Sequence, residues 1–134
     1  DTMQNKGLLE NIQLYIQRFI DSVFKDQEAL EIVLQQYANL TEVQQKLIEP
    51  RMYVIYRGKF DYLFTSGQYN NSLVWMDKTI AHTRFENELP NNKIHFFIEA
   101  IKTLLILFLE NDNEDRLKQA RRYFQLIAEI NEDP

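Results

Sequence analysis

The stretch that decides the fold is residues 56–80, YRGKFDYLFTSGQYNNSLVWMDKTI, in which two apolar patterns meet at a short turn. Before the turn, apolar residues recur at three- and four-residue spacing, which is the period of one face of an α-helix. Gly67 follows the last of them, and glycine readily takes the left-handed conformation that ends many helices. The helical spacing resumes at Tyr69. These residues therefore predict two helices joined by a tight turn at Ser66 and Gly67.

Helical spacing also extends over most of the chain on both sides of this stretch. It predicts helices near residues 6–24, 29–37, 51–65, 69–83 and 93–111, and a last helix that begins near Leu117. Thr41 is an N-cap candidate, because its hydroxyl can accept a backbone N–H. Pro50 cannot donate to a helical ladder, so it is expected to mark a new helix start or a kink. Arg84–Asn92, which contains Pro90, is predicted to be a loop.

Most of these predicted connections are short, and short connections place consecutive helices antiparallel. The chain has only three Gly and three Pro, too few for the many tight turns of a sandwich or barrel. We therefore expect an all-α fold of antiparallel helical hairpins stacked side by side. A closed helical bundle is the alternative. The apolar residues of the predicted helix near 93–111 surround most of its circumference, so we expect it to be buried among its neighbours.

Composition excludes several classes of protein. With 15 basic and 20 acidic residues, the chain lacks the basic footprint of a self-sufficient DNA-binding domain. It has no cysteine, which excludes disulfides and thiolate zinc sites. Its most apolar stretch, Leu104–Leu109, is far shorter than the roughly 20 residues that span a bilayer. The N-terminus has no signal-peptide pattern, so we expect a cytoplasmic protein without a membrane partner.

No motif points to catalysis, a metal or a cofactor. The three glycines stand alone, so neither a P-loop nor a dinucleotide fingerprint is present. His82 and His95 lie in different predicted helices and have no metal-binding spacing. The acidic residues of 112–115 lack the spaced ligands of an EF-hand loop. We expect a protein that is not an enzyme; a helical hydrolase or transferase subdomain that depends on His82 or His95 is the alternative.

The turn in residues 56–80 resembles that of a tetratricopeptide repeat. Gly67 and Tyr69 fall where such repeats have a Gly-x-Tyr turn. Ser72 and Thr79 take the small-residue positions of the second helix, and Met76 takes the bulky one between them. Small residues at those positions let two helices cross closely. The preceding helix matches less well, because Phe60 stands where the repeat has glycine.

Two more degenerate copies of this pattern are visible. One runs from Leu104 to Ile127, with Ala120 as its small residue. A weaker one lies at Leu8–Leu34, with Ala29 in that role. Ser72 and Ala120 are 48 residues apart, whereas the period of tetratricopeptide repeats is 34 residues. The pattern predicts degenerate tetratricopeptide-like repeats.

Degenerate repeats rich in Asn, Tyr, Ile and Lys resemble the C-terminal domains of the Rgg/PlcR-type peptide-responsive transcription regulators of Gram-positive bacteria. The resemblance is carried by YNNSLVWMDKTI at 69–80 and by LENDNEDRLKQARRYFQLI at 109–127. It implies a repeat domain that dimerises and holds a short signalling peptide in a concave groove, as in quorum sensing. The regulators bind DNA through an N-terminal helix-turn-helix domain. No such segment is present in this sequence, and the repeat region is shorter than in a complete family member.

At 134 residues the chain suits a single domain. The resemblance, which covers roughly the last 80 residues, implies that residues 1–134 form a helical-repeat regulatory domain. The chain begins at Asp1 without an initiator Met, so we expect a fragment that would reach DNA only through an absent N-terminal domain. The partners implied are a short peptide or protein segment and a second copy of the chain in a homodimer. A generic helical-repeat adaptor that docks a protein, with no role in transcription, is the alternative.

The repeat register predicts which side chains face such a groove, because the first helix of each pair lines the concave surface. Mixed basic and apolar groups there would suit an extended peptide. The alternative is that Arg57, Asp61 and Phe64 lie on an ordinary surface helix and that Leu105 and Leu109 belong to the core. The predicted peptide-binding residues are Arg57, Asp61, Phe64, Lys102, Leu105 and Leu109.

Overall fold

A computed structural model of the chain describes residues 2–132, and it describes the side chains of residues 7–132. Asp1, Asp133 and Pro134 of the predicted domain lie outside the described residues. Within 2–132 the structure contains helices and no strand, which confirms the all-α class. The helices are α1 (Thr2–Asp21), α2 (Gln27–Tyr37), α3 (Glu42–Thr65), α4 (Tyr69–Ala81), α5 (Thr83–Glu86), α6 (Pro90–Asn111) and α7 (Glu114–Glu132).

The chain divides into two compact units, Asp1–Lys59 and Phe60–Pro134. Helix α3 contributes its residues 42–59 to the first unit and 60–65 to the second. Each unit has apolar side chains of its own at less than 2% exposure. That residues 1–134 act as a single domain stays a prediction, as does the choice between stacked hairpins and a closed bundle.

In the first unit, α1 packs against α2. The predicted helix near 6–24 ends earlier than expected, at Asp21, because Val23 and Phe24 take positive φ angles of 57° and 64°. Asp26 begins α2 by accepting the N–H of Ala29 at 3.0 Å, and this bond lowers the pKa of its carboxyl. The fully buried side chains of this unit include Ile12, Ile16, Phe19, Leu30, Val33, Ile48, Met52 and Ile55.

Helix α3 is longer than predicted. Thr41 caps it as expected: its hydroxyl accepts the N–H of Gln44 at 3.2 Å, and the Gln44 side chain accepts the N–H of Thr41 at 3.1 Å. This reciprocal pair is a capping box. The expectation of a new helix start at Pro50 is wrong, since the helix runs through that residue. Buried Ile48 and Met52 flank Pro50, so packing on both sides offsets the hydrogen bond that proline cannot make.

In the second unit, α6 packs against both α7 and α4. The small-residue positions predicted for the repeats are buried, with Ser72 and Thr79 at 0% exposure and Ala120 at 1%. The Ser72 hydroxyl donates to the Tyr69 carbonyl at 2.6 Å, and the Thr79 hydroxyl donates to the Trp75 carbonyl at 2.7 Å. Both hydroxyls are thus satisfied within their own helix, and they add little bulk to the surface where α4 packs.

The predicted loop at Arg84–Asn92 is largely wrong. Residues 83–86 form the short helix α5, and Phe85 is only 5% exposed. Pro90 opens α6, because its fixed φ suits the first turn of a helix, where its missing N–H is not needed. The connection between α5 and α6 is therefore only residues 87–89.

Candidate binding surface

Helix α6 has two opposite faces of different character. Its buried face includes Phe96, Ala100 and Leu104, each at 1% exposure or less. On the other face lie residues spaced by four, three and four positions, which places them on one side of a helix. We call these four residues the α6 row: Ile98, Lys102, Leu105 and Leu109.

The α6 row is accessible along its length. Ile98 is 41% exposed and Leu109 is 77% exposed, while Lys102 is exposed and Leu105 is half-buried. The expectation that this helix is surrounded by neighbours is therefore wrong for this face. The alternative that Leu109 belongs to the core is also wrong. At about 1.5 Å per residue, the row is about 16 Å long, which is enough to contact several residues of a partner.

A chain of aromatic rings in tilted and edge-to-face contacts holds α6 in its orientation within the second unit. The Phe60 and Phe96 rings lie 4.9 Å apart, and Phe85 contacts Phe96 at 5.5 Å and Phe97 at 5.4 Å. Phe97 in turn lies 5.1 Å from the ring of Tyr123 on α7. Aromatic pairs at these separations add to the energy of burial. Because they fix the buried face, they also fix where the α6 row points.

Lys102 is the one charged member of the α6 row. The only carboxylate three or four residues from it along α6 is Glu99, and Glu99 Oε1 lies 2.8 Å from Nε2 of His95. Among the side chains of residues 7–132, no carboxylate forms an ion pair with the Lys102 ammonium. The row thus places a cation without an acidic partner between apolar side chains.

The three predicted groove residues on α3 have different surroundings. Arg57 belongs to the first unit, where its Nη1 lies 3.4 Å from the Tyr53 hydroxyl. Asp61 is exposed. Phe64 is half-buried, and its ring stacks on Phe60 at 5.9 Å. The structure brings Lys102, Leu105 and Leu109 together on one face of α6; that the α3 residues line the same groove stays a prediction.

The exposure of Ile98 was not predicted, because the whole helix near residues 93–111 was expected to be buried among its neighbours. The four-residue spacing of Ile98 from Lys102 was the available signal. A shallow depression of about 210 Å³ in the second unit was also missed. It is formed by residues 67–71 together with Leu107 and Glu110, beside the first turn of α4.

The two histidines have structural partners. His82 is 7% exposed and ends α4. Its Nδ1 accepts the N–H of Arg84 at 3.0 Å, which caps α5. His95 is exposed and pairs with Glu99 as described above. Among the described residues, no group of three or more His, Cys, Asp or Glu side chains is placed to hold a metal ion. No helix of that part of the chain is long and apolar enough to cross a membrane.

The first unit contains a polar cluster that the sequence did not indicate. The Tyr37 hydroxyl donates to Glu49 Oε2 at 2.7 Å, and the Tyr56 hydroxyl donates to Glu49 Oε1 at 3.3 Å. Burial, followed by the hydrogen bond to Glu49 and its charge, raises the pKa of Tyr37 to about 12. Burial and the same carboxylate raise the pKa of Tyr56 as well. The cluster joins α2 to α3, so we interpret it as structural.

Comparison with protein-family models, with curated proteins and with solved structures gave no significant match.

Proposed function

We propose that the chain is the ligand-sensing and dimerisation domain of a bacterial transcription regulator, and that it binds a short signalling peptide along the α6 row. The observation that carries the proposal is the α6 row itself. It presents apolar side chains and one cation on the accessible face of a helix whose opposite face is buried. Peptide-binding surfaces combine apolar contact with a few polar groups that set orientation. The resemblance of residues 69–80 and 109–127 to peptide-responsive regulators supplies the transcriptional role.

Peptide binding is tested by thermal denaturation of the 134-residue chain with pools of synthetic apolar heptapeptides. A ligand that binds only the folded state raises its stability by about 2.7 kcal/mol at 100 times Kd. We expect Leu109→Ala to weaken the binding of a selected peptide about tenfold or more, because burying one leucine contributes about 1.5–3 kcal/mol.

Val74→Ala is the matched control, since Val74 is a 51% exposed apolar residue of α4 outside the row. It should leave the affinity unchanged. If no heptapeptide stabilises the chain, or if Leu109→Ala and Val74→Ala behave alike, the α6 row is not a peptide site.

The transcriptional role and dimerisation need separate tests. A basic helix-turn-helix of about 60 residues upstream of Asp1 in the parent chain would support a regulator. Sedimentation analysis of the chain measures dimerisation. A strictly monomeric chain from a parent without that upstream domain would reject the regulator.

A helical adaptor that docks a folded protein is the second candidate. It is favoured by exposed apolar side chains on several helices besides α6, which a short peptide on one row would not cover. They include Leu14 at 70%, Leu47 at 68% and Phe124 at 56% exposure. A parent chain without a DNA-binding segment, together with affinity for a folded protein but for no short peptide, would favour the adaptor.

A further inference from the structure

The chemistry of the peptide can be narrowed from the position of Lys102 in the α6 row. Lys102 lies four residues after Ile98 and three before Leu105, so its stem is flanked on both sides by apolar side chains. A ligand that contacts Ile98, Leu105 and Leu109 together must pass over Lys102. Water is then displaced from around its ammonium group as well as from the leucines.

Within residues 7–132 no carboxylate pairs with this ammonium, so these residues leave it without an acidic partner when the row is covered. Glu99 is the only acid at helical-neighbour spacing, and its carboxylate is bound to His95 and is 19% exposed. The other three positions at that spacing are Ile98, Leu105 and Ile106. Dehydrating a cation without a partner is unfavourable, and a carboxylate that hydrogen-bonds it restores much of the loss.

We propose that the ligand of the α6 row is an apolar peptide that carries one carboxylate, and that this carboxylate binds Nζ of Lys102. Apolar side chains on either side of it contact Ile98 and the Leu105–Leu109 end of the row. The carboxylate is either an Asp or Glu side chain or the peptide's own C-terminus. This inference rests on the proposed peptide-binding function and adds the charge of the ligand and the residue that recognises it.

The test uses pools of heptapeptides with varied Leu, Ile, Val and Phe around a fixed central residue. Three pools have acetylated and amidated ends and carry Glu, Gln or Lys at the centre. A fourth carries Gln at the centre and a free C-terminal carboxylate. Affinity selection followed by mass spectrometry measures how much of each pool the full 134-residue chain retains.

For the wild-type chain we expect at least tenfold greater retention of a carboxylate pool than of the amidated Gln pool. Preference for the Glu pool identifies a side-chain carboxylate, and preference for the fourth pool identifies a C-terminus. In Lys102→Met, which keeps most of the length of the side chain and removes its charge, the preference should disappear. In Lys102→Glu it should reverse towards the Lys pool.

Lys118→Met is the matched control, because Lys118 is an exposed cation on α7 outside the row; it should keep the wild-type preference. Circular dichroism checks that each variant remains helical. If Lys102→Met keeps the carboxylate preference, or if the wild-type chain retains the charged and neutral pools equally, the inference is wrong while peptide binding stands. If the wild-type chain retains no pool, both the inference and the proposed peptide site fail.

Discussion

The turns that end α1 and α3 share one hydrogen-bond pattern but differ in the residue at its critical position. After α1, the N–H of Val23 donates to the Ile20 carbonyl at 3.0 Å, and the N–H of Phe24 donates to the Phe19 carbonyl at 3.0 Å. The Phe24 ring also lies 5.8 Å from the ring of Phe19. This pair of bonds, with an apolar contact beside it, is a Schellman motif.

After α3, the N–H of Gly67 donates to the Phe64 carbonyl at 3.1 Å, and the N–H of Gln68 donates to the Leu63 carbonyl at 2.8 Å. Gly67 has a φ of 76°, in the left-handed region that glycine adopts without strain. The first turn places Val23 there instead, although a β-branched residue is strained at positive φ. Identical backbone bonds are therefore made at different conformational cost.

Both turns have an aromatic contact across them, since the ring of Tyr69 lies 5.8 Å from the ring of Phe64 in the second turn. The first turn also has a support from another helix. Phe19, which is fully buried, supplies both the accepting carbonyl and the ring that Phe24 contacts. Its ring in turn packs closely on Gly58 of α3. We infer that packing compensates for strain at Val23, whereas Gly67 forms its turn without backbone strain.

The largest expected effect comes from removing that support with Gly58→Ala. A Cβ at residue 58 would lie 2.5 Å from Cζ of Phe19, so the buried ring must move. Alanine favours the helix by about 1 kcal/mol over glycine, but overpacking costs typically about 1–3 kcal/mol and occasionally more. The buried ring leaves little room, so we take the upper end of the overpacking cost and subtract the helical gain. The free energy of unfolding, measured with urea, should then fall by about 2 kcal/mol.

Gly7→Ala is the control for Gly58→Ala, because a Cβ at Gly7 meets nothing within 4 Å. This substitution should stabilise the protein or leave its stability unchanged. A Gly58→Ala protein as stable as Gly7→Ala would show that Phe19 is not held in place by Gly58.

Gly67→Val should have the next largest effect, since it gives the second turn the residue of the first without its support. A Cβ at residue 67 has open space within 4 Å, so the cost is conformational. We expect a loss of about 1–2 kcal/mol on urea unfolding. Gly67→Asn should lose less, because asparagine tolerates the left-handed region. Equal losses for valine and asparagine would mean that backbone strain does not set the cost.

Sequence patterns predicted the second turn and missed the first for this physical reason. Gly67 is a local signal, whereas Val23 takes a conformation that only its tertiary surroundings explain. Pro90 was wrongly predicted to lie in a loop, although proline suits the first turn of a helix and Pro90 begins α6. On the candidate surface, periodicity placed Lys102, Leu105 and Leu109 together. It could not show that Ile98 is exposed, because an apolar residue looks the same on a buried and an open face.

The first unit also joins α2 to α3 through a polar cluster, whereas α6 of the second unit is held by tilted and edge-to-face aromatic contacts. Tyr37→Phe should cost about 1 kcal/mol at neutral pH, the typical value of one hydrogen bond. The substitution should also change how the free energy of unfolding depends on pH. An unfolded tyrosine ionises near pH 10, whereas the pKa of folded Tyr37 is about 12. The folded state therefore holds this proton more tightly, so the stabilisation is present below pH 10 and is lost as pH rises towards 12.

Urea unfolding at several pH values between 9 and about 12 checks this sign. Wild-type stability should fall with pH, and Tyr37→Phe should fall less steeply. Tyr62→Phe, which removes a phenol from the exposed face of α3, should keep the wild-type slope. A Tyr37→Phe slope as steep as wild type would assign the alkaline loss to other groups.

Val23→Gly is expected to have the smallest effect and the opposite sign, and it tests the comparison most directly. Relief of left-handed strain should stabilise the folded state by about 1–2 kcal/mol. The greater freedom of glycine in the unfolded chain should offset about 0.5–1 kcal/mol of this gain. The Val23 side chain is 68% exposed, so little packing is lost. A net gain of about 0.5–1 kcal/mol on urea unfolding should result. If Val23→Gly instead destabilises the protein, the valine makes contacts worth more than its strain, and the two turns differ in packing rather than in backbone cost.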